Sequence, residues 1–176
     1  MTTPPDFSSG AVLTAAQMSA IGLWLIKTQT IGNAVSSVAV TGAFSADYDN
    51  YKIIISGGAS SAQSFLTLQL TGSATGYYYA NSGVTYAGAA FVGGASNTTS
   101  FQAGSAFVAN GLQANIELQN PFLAKYTFSQ SSGMNTTFAT PSVGYHGVAT
   151  SYTGFTIGVL AGTMTGGTIK IYGYRN

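Results

Sequence analysis

The sequence predicts an all-β chain: an antiparallel β-sandwich of jelly-roll type with a short N-terminal arm and helix. Three observations carry this. Apolar and polar residues alternate in a series of short stretches from Leu23 onward, the period of a strand with one face buried. Clusters of Gly, Ser and Asn separate those stretches, as turns between strands do. Hydrophobic residues make up 45% of the chain and aromatic residues 12%, ample for a core and against disorder.

The elements follow in order. MTTPPDFSSGAV reads as an extended arm, with Pro4 and Pro5 favouring a polyproline path. LTAAQMSAIG reads as a helix of about two turns, with Thr14 and Gln17 in capping-box spacing and Gly22 as its stop. LWLIKTQTI and AVSSVAVTG flank Gly32-Asn33 and predict a hairpin. YKIIIS (51–56) is a strand. SFLTLQLT (64–71) places Leu66, Leu68 and Leu70 on one face. Thr75 to Gly111 has no stable period and reads as one or two weaker strands with long surface loops. ANIELQ (114–119) turns Ile116 and Leu118 inward and Asn115, Glu117 and Gln119 outward. AKYTFSQ (124–130) and GFTIGVL (154–160) follow. A last strand, fed by a turn at Gly166-Gly167, alternates Thr168, Lys170, Tyr172 and Tyr174 with Ile169 and Ile171. No unit recurs at fixed spacing, which excludes a solenoid or propeller. The expected division is an arm and short helix over 1–22 and a β-sandwich over 23–176.

Composition narrows the function. Only 5% of the 176 residues are charged, against roughly 25% in ordinary globular chains. Five basic residues and a net charge of +1 cannot neutralise a nucleic-acid backbone. Ala11 to Ile26 is apolar-leaning but interrupted by Thr14, Gln17, Ser19 and Gly22, and is shorter than the roughly 20 residues a spanning helix needs. Membrane insertion is therefore not expected, and no basic residue precedes the run to make it a signal peptide. No cysteine is present, so neither disulfides nor thiolate metal sites arise. With 22 Thr and 20 Ser, the polar surface must consist of hydroxyls and amides, which suits a protein inside an assembly.

Catalytic signals are weak. His146, the single histidine, lies in VGYHG and reads as a loop residue without an acid nearby to partner it. Glu117 faces outward on its strand, and Asp47 and Asp49 share a turn. SADYDNYK offers oxygen ligands but has Tyr51 and Lys52 where a calcium loop needs an acid and a glycine, so a polar turn is expected. GGASSAQS and GTMTGG lack the lysine and spacing of a phosphate loop. No catalytic, cofactor or metal residue is assigned. Asn97 and Asn135 stand in N-x-T sequons, meaningful only on a secretory route. The tyrosines are better candidates. Tyr77, Tyr78, Tyr79, Tyr86 and Tyr145 lie in glycine-rich segments, and a ring with a hydroxyl suits glycan or protein contact; packing is the competing role, since three consecutive tyrosines in a strand send at least one ring inward. Trp24 packs either in its own sandwich or against a neighbour.

FSSGAVLTAAQM, FSADYDNYKIIISG and TGGTIKIYGYRN together resemble small virion proteins of tailed bacteriophages and prophages, of tail-fibre, minor tail or structural type. The resemblance runs from Phe7 to Asn176. It implies an N-terminal attachment segment, with Pro4, Pro5, Phe7, Leu13, Met18 and Trp24 as docking residues, followed by an outward all-β domain. It also implies a non-enzymatic virion protein, made in the host cytoplasm. Its partners would be other virion proteins, copies of itself as a homotrimer, and a host-surface receptor or glycan. The competing expectation is a capsid decoration protein or head fibre that stabilises the shell.

Overall fold

The computed structural model describes residues 22–134, 136 and 138–174. The expected arm and helix, with Pro4, Pro5, Phe7, Leu13 and Met18, lie outside the described residues. The described chain is all-β. Its strands are β1 (Leu23–Thr30), β2 (Ser37–Val40), β3 (Asn50–Gly57), β4 (Ala59–Ser60), β5 (Ser64–Leu70), β6 (Tyr77–Thr85) and β7 (Ala90–Thr98). They continue as β8 (Phe101–Phe107), β9 (Gly111–Gln119), β10 (Thr127–Met134), β11 (Phe138–His146), β12 (Phe155–Val159), β13 (Met164–Thr165) and β14 (Thr168–Tyr174). None of the described residues forms a helix long and apolar enough to cross a membrane.

Twelve strands form one curved antiparallel sheet, and β9 is its corner. One edge of β9 pairs β3 from Leu112 to Gln119. Its other edge pairs β8 over Gly111–Gln113 and then β10 over Asn115–Gln119. Eight strands therefore line up as β1-β14-β3-β9-β10-β11-β6-β7, while β8-β5-β12-β2 turns away from that corner. The turned arm lies over the long layer, sandwich-like, because both bury the same set of side chains. Leu66, Leu68 and Leu70 of β5 and Phe155 and Ile157 of β12 join Ile53, Ile55, Ile116, Leu118, Ile169 and Ile171 in a single core. Each such side chain contributes about 1.5–3 kcal/mol by leaving water.

Two buried tyrosines fasten loops to this core. The Tyr51 hydroxyl accepts from Ser45 N and donates to Ser45 O, both at 2.9 Å. The Tyr77 hydroxyl accepts from Leu70 N at 2.7 Å and donates to Ser73 O at 3.1 Å. Burial pushes the Tyr77 phenol up to about 12, its backbone hydrogen bonds notwithstanding.

The last strand sits inside the sheet, with β1 on one edge and β3 on the other. Gly166 and Gly167, at φ 69° and 89°, supply the left-handed turn that feeds it. At Gly173 the Tyr48 ring lies where a side chain would stand.

Three expectations are corrected. The Gly32-Asn33 turn does not close a hairpin: β1 pairs β14 while β2 pairs β12. Ala34 takes φ 53°, Ile31 N donates to Gly167 O and Val35 bridges Met164, so the chain crosses from the long layer to the turned arm. Residues 75–111 hold three strands rather than one or two with long loops; β7 is largely exposed, with only Phe91, Ala95 and Thr98 part-buried, so no strict alternation marks it. His146 is not a loop residue but the last residue of β11, fully buried.

Candidate recognition face

The outward side of the eight-strand layer is built by cross-strand register. One row runs Leu23, Tyr174, Asn50, Gln119, Phe128, Tyr145, Tyr78. The row beside it runs Leu25, Tyr172, Lys52, Glu117, Gln130, Val143, Ala80. Alternation sends the buried partners Ile53, Ile116 and Leu118 to the core, so these rows stand on the other face.

Electrostatics concentrate at the centre. Lys52 Nζ donates to Glu117 Oε1 at 2.7 Å, the only ion pair among the described residues. The Tyr174 hydroxyl donates to Glu117 Oε2 at 2.6 Å. Desolvation, then the Glu117 carboxylate, push the Tyr174 phenol up to about 12. Both carboxylate oxygens are engaged, so Glu117 is a poor general base. Around it lie shallow depressions: one of about 310 Å³ between Asn50, Gln119, Gln130 and Tyr174, another bordered by Phe128, Gln130 and Val143.

Aromatic side chains occupy the far end. Tyr78 stacks on Tyr145 with centroids 4.8 Å apart and planes 8° from parallel, and Tyr126 follows at 5.9 Å. Gly147 lies against the rims of Tyr78 and Tyr145. Phe128 beside the stack is 45% exposed. Between Tyr78, Tyr145, Val143 and Ala95 opens a largely apolar depression of about 390 Å³. Ring faces and primary amides side by side, almost without charge, fit a neutral polar ligand or a protein surface better than an ion.

The five candidate tyrosines separate. Tyr78 and Tyr145 meet on this face, and Tyr79 is half-buried, packed against the core. Tyr86 stands at the β6–β7 tip, 65% exposed, away from the stack. Tyr77 is corrected outright: with 0% exposure and both hydroxyl bonds inside, it has no surface to offer. Trp24 lies on β1, 38% exposed, opposite Gly173. Phe128, Gln119, Gln130 and Tyr174 join the face through strand pairing and Tyr126 through its stack on Tyr145, signals no local motif carries.

The remaining polar candidates resolve simply. Ser73 Oγ lies 2.7 Å from His146 Nε2, but that nitrogen also faces Thr75 O at 3.0 Å. The ring's hydrogen-bonding neighbours among the described residues are Ser73, Thr75, Val148 and Tyr152, with no carboxylate to orient it as a base. Asp47 accepts from Ser45 Oγ at 3.0 Å within its turn, and Asn97 Oδ1 accepts from Gly76 N at 3.0 Å. No family model matches the chain, and no curated protein matches it significantly.

Proposed function

We propose that this chain is a non-enzymatic structural protein of a tailed-bacteriophage virion. It belongs to the tail or fibre, and its β-sandwich, of jelly-roll type, is turned outward to engage a host-surface receptor or glycan. The observation that carries the binding role is the exposed face on which Tyr78, Tyr145 and Phe128 adjoin Gln119 and Gln130. The virion setting rests on the resemblance of the three stretches and on the 5% charge content, which suits a chain packed in an assembly. Residues before β1 serve as the attachment segment in this reading.

Two measurements test it. Quantified against the major capsid protein in purified particles, a tail component is present in dozens of copies or fewer. Hundreds of copies would instead support shell decoration, and none would remove the virion reading. For the face itself, Phe128→Ala combined with Tyr145→Ala should weaken binding of the purified protein to host cells by roughly tenfold or more, from loss of ring contacts worth ~1–3 kcal/mol. Unchanged binding by a folded variant would sink the assignment of this face.

A further inference from the structure

The long layer has two outer edges, and they are guarded unequally. An edge strand presents unpaired N–H and C=O groups that template another strand unless charge, proline, a bulge, short length or a cover blunts them. β1 is blunted: its register shifts between Leu25 and Lys27, and Lys27 puts a cation there. In the turned arm, β2 is only four residues long. β7 is different. It pairs β6 on one side and ends the strand order on the other. AFVGGASNT contains no proline and no charge, and neither does any residue from Tyr77 to Thr98. Its only irregularity is the register shift opposite Tyr77–Tyr79, which leaves Ala90 to Ala95 regular.

We propose that β7 is a homotypic docking edge, where a second copy of this chain adds its own β7 antiparallel across a two-fold axis. Three features select a copy as the occupant. Antiparallel pairing of a strand with itself is self-complementary under two-fold symmetry. An uncharged strand places no like charges opposite each other in that pairing. Val92, 85% exposed, and its diagonal neighbour Val84, 52% exposed, stand beside the edge and lose water when the partner arrives. Gly93 and Gly94 carry no side chain to hold the strands apart. The contact borders the apolar depression of the tyrosine face through Ala95, and it departs from the three-fold assembly expected from the sequence.

Register identifies the groups that do the pairing. Thr85 N donates to Ala89 O at 2.8 Å, so the hydrogen-bonded pairs alternate onward as Gly83–Phe91 and Asn81–Gly93. The N–H groups of Ala90, Val92 and Gly94 therefore point away from β6. Val92→Pro deletes one outward donor without touching the β6–β7 ladder, and Val92→Lys keeps the backbone while setting cations near the axis.

The test is sedimentation and light scattering of the full chain over a concentration series, with thermal melting as the control for folding. The wild type should be a dimer whose melting temperature rises with concentration, and both substitutions should weaken it by roughly tenfold or more while still melting cooperatively at the dilution where all three chains are monomers. In the dimer, hydrogen exchange should protect the Ala90, Val92 and Gly94 amides, and the protection should vanish in the variants. A wild type that is monomeric throughout, a trimer, or a dimer indifferent to Val92→Lys would overturn the proposal. Should Val92→Pro fail to fold, Val92→Lys decides alone.

Discussion

Within the eight-strand layer, β3, β9 and β14 on one side and β10 and β11 on the other are buried alike and held differently. In β3, β9 and β14 the inward positions include Ile53, Ile55, Ile116, Leu118, Ile169 and Ile171, at 0–1% exposure. In β10 and β11 the inward positions include Thr127, Ser129, Ser131, Ser142 and His146, at 0–7%. The first half coheres through nondirectional burial of branched chains. The second depends on directional bonds to the strand above it. Ser131 Oγ donates to Gln102 O at 3.1 Å, Asn81 Nδ2 donates to Gln102 Oε1 at 3.0 Å, and Met134 N donates to Ser105 Oγ at 2.8 Å. Small hydroxyl side chains let β8 approach β10 closely, and Tyr78, Tyr145 and Phe128 stand on the outward face while Tyr77 is buried. The candidate recognition face thus draws its rings from the outward positions of the polar half, Tyr78, Tyr145 and Phe128.

The strongest way to break the comparison is truncation in each half. Ile116→Ala should destabilise by about 2–5 kcal/mol, the transfer term plus a cavity the packed sheet cannot close. Ser131→Ala should cost only about 1 kcal/mol, one neutral hydrogen bond with the Gln102 carbonyl left short of a donor. Urea unfolding at equilibrium measures both. Equal losses would mean that the halves are not held differently.

Acid should then separate the halves by pH. Burial holds the His146 imidazole below its ordinary 6.5, and the Thr75 and Val148 carbonyls only partly offset this. The unfolded chain therefore binds more protons than the native one between that lowered value and 6.5, so stability is complete above 6.5 and falls as pH drops through the window. Melting temperature should decline on acidification from about pH 7.5 to about pH 5. His146→Gln, though less stable overall, should show a flatter decline over that range. A parallel decline in both proteins would place the acid sensitivity elsewhere, and the ring geometry of Tyr77, 4.4 Å from the imidazole, would be packing alone.

The same contrast explains what the sequence made legible. The strands at 51–56, 64–71, 114–119 and 168–174 were readable because apolar side chains must alternate where one face meets a hydrocarbon core. Ile116 and Leu118 inward and Glu117 outward followed directly, and the structure agrees. β6, β7 and β11 were not readable. Tyr77 points inward and Tyr78 outward, both aromatic, and Gly83, Gly93 and Gly144 interrupt any period. Pairing partners were hidden as well: β1 finds β14 and β2 finds β12 across most of the chain, a choice made by the shared core rather than by Gly32-Asn33. Half of the candidate recognition face shares this fate. Tyr78 and Tyr145 could be proposed from composition, but Phe128 joins them only through the register Phe128–Tyr145–Tyr78.

The smallest expected effect sharpens the comparison most. Thr127 is fully buried opposite His146, and its Oγ1 has no hydrogen-bond partner among the described residues. Unlike Ser131, this hydroxyl is desolvated without compensation, a cost to folding of about 1–3 kcal/mol. Thr127→Val replaces the hydroxyl with a methyl group of nearly the same size and keeps a β-branched side chain in the strand. Its effect should therefore range from nearly neutral to a gain of ~1 kcal/mol, measured by the same urea unfolding, and the acid dependence set by His146 should persist. A loss above ~1 kcal/mol would show that the hydroxyl is bonded in solution, and that the polar half is satisfied at Thr127 as it is at Ser131. A gain marks Thr127 as the position where the polar half already tolerates the chemistry of the apolar one.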